Sequence, residues 1–155
     1  MTSPSKSADD LQAEHRAAWV ALLEASLGLG NAVSEGVTGA PLKSAEDSLV
    51  TAADRFGGTH QALVELLRPP APPRLRRSTS SPPMSIEEMQ RDSGVAWAAL
   101  VKAAFAVRNA VNDQLEGDPM NQIEAELAQA AIQHAQARRA MMDLLRPRAR
   151  ARRKK

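Results

Sequence analysis

The chain of 155 residues contains no cysteine and no tyrosine, and aromatic residues make up only 3% of it. Without cysteine there is no disulfide, no thiolate metal site and no cysteine nucleophile. Because aromatics are so scarce, Ala, Leu and Val must supply any core, and such small side chains suit closely packed helices. Apolar residues reach 43%, which is within the range of globular proteins.

Long apolar segments are also missing. Residues 1–10 are polar and lack the apolar centre of a signal peptide. The most apolar run, from Ala17 to Leu29, is interrupted by Glu24 and Ser26, so we expect no segment to reach the length of a membrane span. A soluble protein with a cytoplasmic location is the expected class.

Positive and negative charges are segregated along the chain, although the net charge is only +2. Residues 1–67 carry a net charge of −5 and residues 84–145 carry −4. Residues 68–83 carry +4 and residues 146–155 carry +7, and neither segment contains an acidic residue. The sequence therefore predicts two acidic bodies, each followed by a basic segment.

Two long segments of the chain resemble each other. Residues 11–69 align with residues 89–147 at a constant offset of 78 without a gap, and 20 of the 59 aligned positions are identical. Shared composition explains some of the Ala and Leu matches, but not Trp, Asn, Gly and Pro at one offset. We interpret the pattern as an internal duplication. The most informative identities are Trp19/Trp97, Asn31/Asn109, Gly39/Gly117, Pro41/Pro119 and Leu66-Leu67-Arg68-Pro69/Leu144-Leu145-Arg146-Pro147.

Each copy has the pattern of a helix, a turn and a second helix. In the first copy, apolar residues recur at spacings of three and four up to Val37, which predicts a helix from about Ala8 to Val37. The second helix of this copy contains Gly57-Gly58. Two adjacent glycines cost about 2 kcal/mol in a helix interior, so we expect them to weaken or kink it.

Local signals indicate where these helices begin and end. Gly39 and Gly117 are expected to close the first helix of each copy in the left-handed conformation. Pro41 and Pro119 suit the first turn of the helix that follows. Capping boxes are expected at Ser7-x-x-Asp10 and Ser85-x-x-Glu88, with further capping candidates at Ser44-x-x-Asp47 and Asn121-x-x-Glu124.

A lone helical hairpin exposes an apolar face, and two hairpins packed together bury both faces. We therefore predict an all-α fold, an antiparallel four-helix bundle built from two tandem hairpins. Pairing of the copies between two chains is the alternative. The predicted segments are a disordered N-terminus (1–7), hairpin 1 (8–68), a linker rich in Pro and Arg (69–84), hairpin 2 (85–146) and a disordered basic tail (147–155).

No metal or cofactor motif is found. The carboxylate-bridged di-iron sites of four-helix bundles need a Glu three residues before a His, and none of the three histidines has one. We therefore expect no metal and no cofactor, and the sequence identifies no small-molecule substrate.

One pair of residues suggests nucleic-acid chemistry. Arg55 and His60 are separated by four residues, a spacing that resembles the Arg-x4-His motif of the HEPN ribonucleases, which are helical bundles. This resemblance implies that Arg stabilises phosphate charge while His transfers a proton. The second copy has Gln133 and Arg138 at these positions, and Phe56 replaces the polar residue that usually follows the Arg in that family.

Four larger side chains are predicted at the core or interface: Trp19, Trp97, Phe56 and His134. The two Trp residues occupy equivalent positions, and we expect them to be symmetric core residues, with a Trp-lined ligand pocket as the alternative. His134 stands where the first copy has Phe56. It is expected to be a buried His, or else an interface residue that responds to pH.

The basic tail is the clearest functional signal, and nucleic acid is one expected ligand. The alternatives are a solubilising tail, contact with the acidic bodies of the same chain, and binding to an acidic protein or a membrane surface. A flexible polycation binds phosphate backbones by releasing counterions, and no aromatic residues are interleaved to stack on bases. The linker should approach the tail, because both follow the second helix of a hairpin. The predicted polyanion-binding residues are Arg74, Arg76, Arg77, Arg146, Arg148, Arg150, Arg152, Arg153, Lys154 and Lys155.

These observations favour a non-catalytic interaction or scaffold protein. Its helical body is expected to bind a protein partner or itself, and its basic end is expected to tether it to a polyanion. The alternative is a protein whose main function is nucleic-acid binding through the tail and linker. A third hypothesis is a helical ribonuclease that uses Arg55 and His60.

Overall fold

The computed structural model describes residues 6–68 and 85–153, with side chains up to residue 146. These residues form helices and no strand, which confirms the predicted all-α class. Residues 1–5, the predicted linker at 69–84 and residues 154–155 lie outside the described residues. The helices are α1 (Ala8–Ser34), α2 (Ala40–Leu67), α3 (Ile86–Asn112) and α4 (Asp118–Arg153).

Both predicted capping boxes are confirmed. The Ser7 hydroxyl accepts from the Asp10 N–H at 3.2 Å, and the Asp10 carboxylate accepts from the Ser7 N–H at 3.3 Å. At α3, the corresponding distances between Ser85 and Glu88 are 3.2 and 3.0 Å. Each box satisfies two backbone N–H groups that the first helical turn leaves unpaired, and this explains why α1 and α3 begin where they do.

The turns between paired helices correct two predictions. Gly39 and Gly117 do have positive φ, of 73° and 69°, but they lie just before α2 and α4 instead of closing α1 and α3. The left-handed residues that follow the first helices are Gly36, at φ 72°, and Gln114, at φ 55°. Helix α1 therefore stops at Ser34, earlier than expected, because the Gly36 N–H bonds to the Val33 carbonyl at 3.1 Å.

The second helix of each pair starts earlier than two of the capping candidates imply. Pro41 and Pro119 are the second residues of α2 and α4, as predicted for the first turn. Proline is favoured there because its missing N–H has no helical partner to lose. The helix has therefore already formed at Ser44 and Asn121, and the prediction that these residues cap a helix is wrong.

The glycine pair does not interrupt α2, which runs unbroken through Gly57 and Gly58. A Cβ at Gly57 would overlap the Ala135 Cβ on α4, whereas nothing lies within 4 Å of a Cβ at Gly58. In the same way, a Cβ at Gly30 would overlap the Arg108 side chain on α3. Helix α2 stays continuous because Gly57 permits close helix packing that offsets its low helix propensity.

Each helix packs against two others. Helix α1 contacts α2 and α3, and helix α4 also contacts α2 and α3. Within the described residues, α1 and α4 make no close backbone contact, and neither do α2 and α3. The completely buried large side chains are one Leu from each helix: Leu22, Leu49, Leu100 and Leu127. Most other core residues are Ala, which lets the helices approach closely.

Helix α4 continues to Arg153, past the expected end of hairpin 2 at residue 146. Residues 147–153 are thus helical where the sequence predicts a disordered tail, although their side chains are not described. The alternation of Arg and Ala after Pro147 explains the difference, because both residue types have high helix propensity.

Candidate functional site

The C-terminal ends of α2 and α4 lie side by side. Val64 and Arg68 of α2 line a groove of about 530 Å³ together with Arg139 and Asp143 of α4. One turn further along α4, the guanidinium of Arg146 lies 3.9 Å from the carboxylate of Asp143. We call this end of the molecule, residues 61–68 and 139–146, the basic pole.

Aliphatic side chains are concentrated at the basic pole. Ten large apolar side chains are exposed among the described residues, and five of them lie here. Leu67 is 73% exposed and Leu145 is 53% exposed. Single exposed aliphatics are ordinary, so the concentration of five of them is what distinguishes this end of the molecule. The five residues are Val64, Leu66, Leu67, Met142 and Leu145.

The structure places only part of the predicted polyanion-binding set. Arg146 is exposed at the basic pole. Arg148, Arg150, Arg152 and Arg153 belong to the end of α4, but their side chains are not described. The remaining residues lie outside the described part of the chain: Arg74, Arg76, Arg77, Lys154 and Lys155.

Sequence reasoning missed the rest of the pole, namely Arg139 and the aliphatic cluster. A signal was present, because Leu66-Leu67-Arg68 is identical to Leu144-Leu145-Arg146. Residues that two copies of a repeat share usually shape the fold. The structure instead leaves three of the four leucines, and both arginines, exposed.

A second cluster joins α1 to α2 through aromatic rings. His15 and Trp19 are four residues apart on α1, and Phe56 and His60 are four residues apart on α2. The ring centroid of Phe56 lies 4.7 Å from that of His15 and 5.4 Å from that of Trp19. His15 and His60 are 5.8 Å apart. His15 could have been found from this spacing of four on both helices.

Hydrogen bonds orient His15 within this cluster. The Thr59 hydroxyl donates to the Phe56 carbonyl at 3.0 Å and lies 3.0 Å from His15 Nδ1. Since the hydroxyl proton is already used, the neutral ring satisfies this contact when Nδ1 carries the proton and donates to Thr59. Burial lowers the pKa of His15, and the nearby charge of His60 lowers it further.

The equivalent region of the other hairpin is built differently. Trp97 lies 5.6 Å from His134, just as Trp19 packs on Phe56. Ser93 and Arg138 stand where His15 and His60 stand in the first copy. Both Trp residues are half-buried, whereas Phe56 and His134 are buried.

His134 faces a charged pair between α2 and α4. The Arg138 guanidinium lies 3.3 Å from the Asp54 carboxylate. His134 Nδ1 and Asp54 Oδ1 are both buried without a hydrogen-bond partner among the described residues. Burial lowers the pKa of His134; the Asp54 carboxylate opposes this shift, and the Arg138 charge adds to it.

Trp19 also lines a shallow groove of about 610 Å³ between α1 and α4. Its surface is mainly apolar, with Phe56 and Ala128 beside the indole, and Glu124 and His15 supply polar groups. A Trp-lined ligand pocket, which is the alternative to a core role for Trp19, would lie in this groove.

Arg55 and His60 are not brought together. Arg55 is exposed and lines a groove between α1 and α2 with Glu24 and Lys43. His60 instead lines the groove between α2 and α4. Five residues of helix turn the two side chains to different faces, so no shared phosphate site forms. Within the described residues, no group of three or more His, Asp or Glu side chains is placed to hold a metal ion.

Two helices bear on the expectation about membrane spans without settling it. By length and composition alone, α1 and α3 are long and apolar enough to cross a membrane. The interruptions at Glu24 and Ser26 are too few to exclude α1. Core helices of soluble proteins pass the same test, so this property does not assign a location.

Comparison with known proteins identifies no relative. No protein-family model, no curated protein and no solved structure matches this chain.

Proposed function

We propose that this chain is a non-catalytic helical interaction protein. Its helical body binds a protein partner or a second copy, and its basic pole tethers it to a polyanion. The observation that carries this proposal is the exposure of Leu67 and Leu145 directly beside Arg68 and Arg146. Exposed aliphatic clusters mark binding surfaces, and Arg is enriched at such surfaces.

The proposal includes a pseudo-symmetric four-helix bundle formed by an internal duplication. The offset of 78 that aligns the two sequence copies also relates the bounds of α1 to those of α3 and the start of α2 to that of α4. It also relates Gly30 to Arg108 and Gly57 to Ala135, and each of these pairs is in contact. Contact between equivalent residues is expected where a twofold axis passes between them.

The charge of the chain supports a polyanion tether at one end. The basic segments 68–83 and 146–155 begin at Arg68 and Arg146. Arg68 lines the same groove as Asp143, which is the carboxylate that Arg146 approaches. Both basic segments therefore start from the basic pole.

Solution mass at several concentrations, measured by light scattering, tests self-association through the aliphatic cluster. The Leu67→Ser/Leu145→Ser variant should abolish any concentration-dependent increase in mass. The matched control is Val33→Ser/Val111→Ser, because these valines are 44% and 45% exposed and lie away from the basic pole.

Affinity co-purification tests the alternative that the pole binds a protein partner. A stoichiometric partner should be retained after deletion of residues 146–155 and lost in the Leu67→Ser/Leu145→Ser variant. A strictly monomeric protein that retains no partner and does not bind heparin at low salt would overturn the proposal.

A second candidate function is nucleic-acid binding as the main activity. The observation that favours it is the run of seven Lys or Arg residues without an acid at 146–155. Deletion of these residues should abolish a gel shift, and the shift should weaken steeply as salt rises. If the full-length protein gives no shift at low salt, this candidate fails.

A further inference from the structure

We propose that the polyanion bound by the basic pole is the surface of an anionic lipid bilayer, into which the exposed aliphatic side chains insert. This inference rests on the proposed polyanion tether and names its ligand. It assigns the bilayer to the described surface around Leu66, Leu67 and Arg68 on α2 and Leu145 and Arg146 on α4.

The pole combines apolar and cationic side chains, which suit the acyl-chain and headgroup regions of a bilayer surface. Leu67 is followed directly by Arg68, and Leu145 is followed directly by Arg146, with all four side chains exposed. Aliphatic groups at such a surface enter the boundary between headgroups and acyl chains, while Arg remains among the lipid phosphates. The repetition of this pair on two adjacent helices provides two points of insertion.

The surrounding charge favours an anionic surface. Residues 61–83 carry a net charge of +3 and residues 139–155 carry +7. Glu65 and Asp143 are the acidic residues in these two segments, and Asp143 lies 3.9 Å from Arg146. Stable peripheral binding needs two signals, and an apolar insertion combined with a polybasic segment supplies both.

The same surface is less suited to nucleic acid. Phosphate backbones would pair with Arg68 and Arg146 but would leave the aliphatic cluster in water. Binding to unpaired bases relies on aromatic stacking, and residues 61–68 and 139–146 contain no aromatic side chain. A bilayer uses both the apolar and the cationic groups.

Sedimentation with lipid vesicles tests this inference on the full-length protein. One set of vesicles contains phosphatidylcholine alone, and the other contains phosphatidylcholine mixed with phosphatidylserine. The protein should sediment with the second set, and binding should weaken as salt rises. Arg146→Gln should weaken binding about fivefold, as expected for one cation near an anionic surface.

The aliphatic contribution distinguishes insertion from simple charge attraction. Leu67→Ser/Leu145→Ser should weaken vesicle binding by about tenfold or more, since each buried CH₂ contributes to affinity. Val33→Ser/Val111→Ser should leave vesicle binding unchanged. Helical circular dichroism and thermal melting of both variants check that the fold is retained, as expected for side chains that are already exposed.

Each remaining outcome counts against the inference. Equal binding by the wild type and the Leu67→Ser/Leu145→Ser variant would overturn insertion. Binding to heparin or DNA at low salt without binding to phosphatidylserine vesicles would overturn the lipid assignment and leave the proposed tether standing. Failure to bind any of the three polyanions would overturn both.

Discussion

Gly57 on α2 lies so close to Ala135 on α4 that a methyl group on Gly57 would overlap the Ala135 methyl group. The two residues are equivalent positions in the aligned copies. At this distance between α2 and α4, only one of the two residues can carry a Cβ atom, so the copies must differ here. The glycine that looks like a helix defect in the sequence is therefore a packing residue.

Adjacent glycines allow this to be tested with a matched pair. Gly57→Ala should lower the free energy of unfolding by about 1–3 kcal/mol, because overpacking a rigid contact outweighs the gain in helix propensity. Gly58→Ala meets no atom within 4 Å and should raise it by about 1 kcal/mol. Urea denaturation followed by circular dichroism measures both, and equal effects would contradict the packing assignment.

The buried His134 predicts a pH dependence with a definite sign. Its pKa in the folded protein is lowered by burial, whereas in the unfolded chain it is about 6.5. The unfolded state therefore binds more protons just below pH 6.5, so the stability that neutral His134 provides is present above this pH and is lost as the pH falls through it. Urea unfolding between about pH 7.5 and about pH 5.5 should show the decline.

The His134→Phe variant isolates this contribution, because Phe is the residue at the equivalent position 56. It should reduce the loss of stability over the same pH interval. Part of the change in the free energy of unfolding with pH should remain, because the pKa of His15 is also lowered by burial and by His60. If the free energy of unfolding of His134→Phe changes with pH as it does in the wild type, His134 does not contribute to the pH dependence.

The Asp54 carboxylate should control the ionisation of His134. Because this carboxylate raises the pKa of His134 against the effect of burial, Asp54→Asn should lower that pKa further. NMR titration of the His134 ring protons measures the shift, and Glu65→Gln serves as a control. The loss of the half-exposed pair with Arg138 should cost less than about 1 kcal/mol of stability. A higher pKa of His134 in Asp54→Asn would contradict the assignment.

The ribonuclease hypothesis has a direct test. We expect the purified wild-type protein to leave mixed RNA intact, because Arg55 and His60 line different grooves. Electrophoresis of RNA after incubation measures cleavage. An activity that persists through purification and disappears in both Arg55→Ala and His60→Ala would show that the two residues act together after all.

Local signals in the sequence predicted local structure well. The capping boxes at Ser7 and Ser85 and the positions of Pro41 and Pro119 depend on neighbours within one helical turn, and the structure confirms them. The ends of α1 and α3 were misplaced, because several nearby residues can adopt positive φ. The chain uses Gly36 in one turn and Gln114 in the other, although Gly39 and Gly117 match in sequence.

The candidate site was predicted only in its charge. The basic segments are evident from composition, but Leu66 and Leu67 continue the spacing of three and four from Leu63, which is the pattern of a buried helix face. Whether a stripe is buried depends on how far the partner helix extends over it. The structure leaves the last turn of α2 uncovered, and this exposure, which no periodicity reveals, turns the shared Leu-Leu-Arg segment into a surface.

By itself, the sequence determined the helical class, the starts of α1 and α3 and the separation of acidic bodies from basic segments, because these depend on local patterns and on composition. The tertiary structure alone decided which equivalent residues meet, as at Gly57 and Ala135, and which apolar residues stay exposed. It also separated Arg55 from His60 and placed His134 beside Asp54. The physical reason is that burial and contact depend on the distance and angle between helices, and residues far apart in the chain set both.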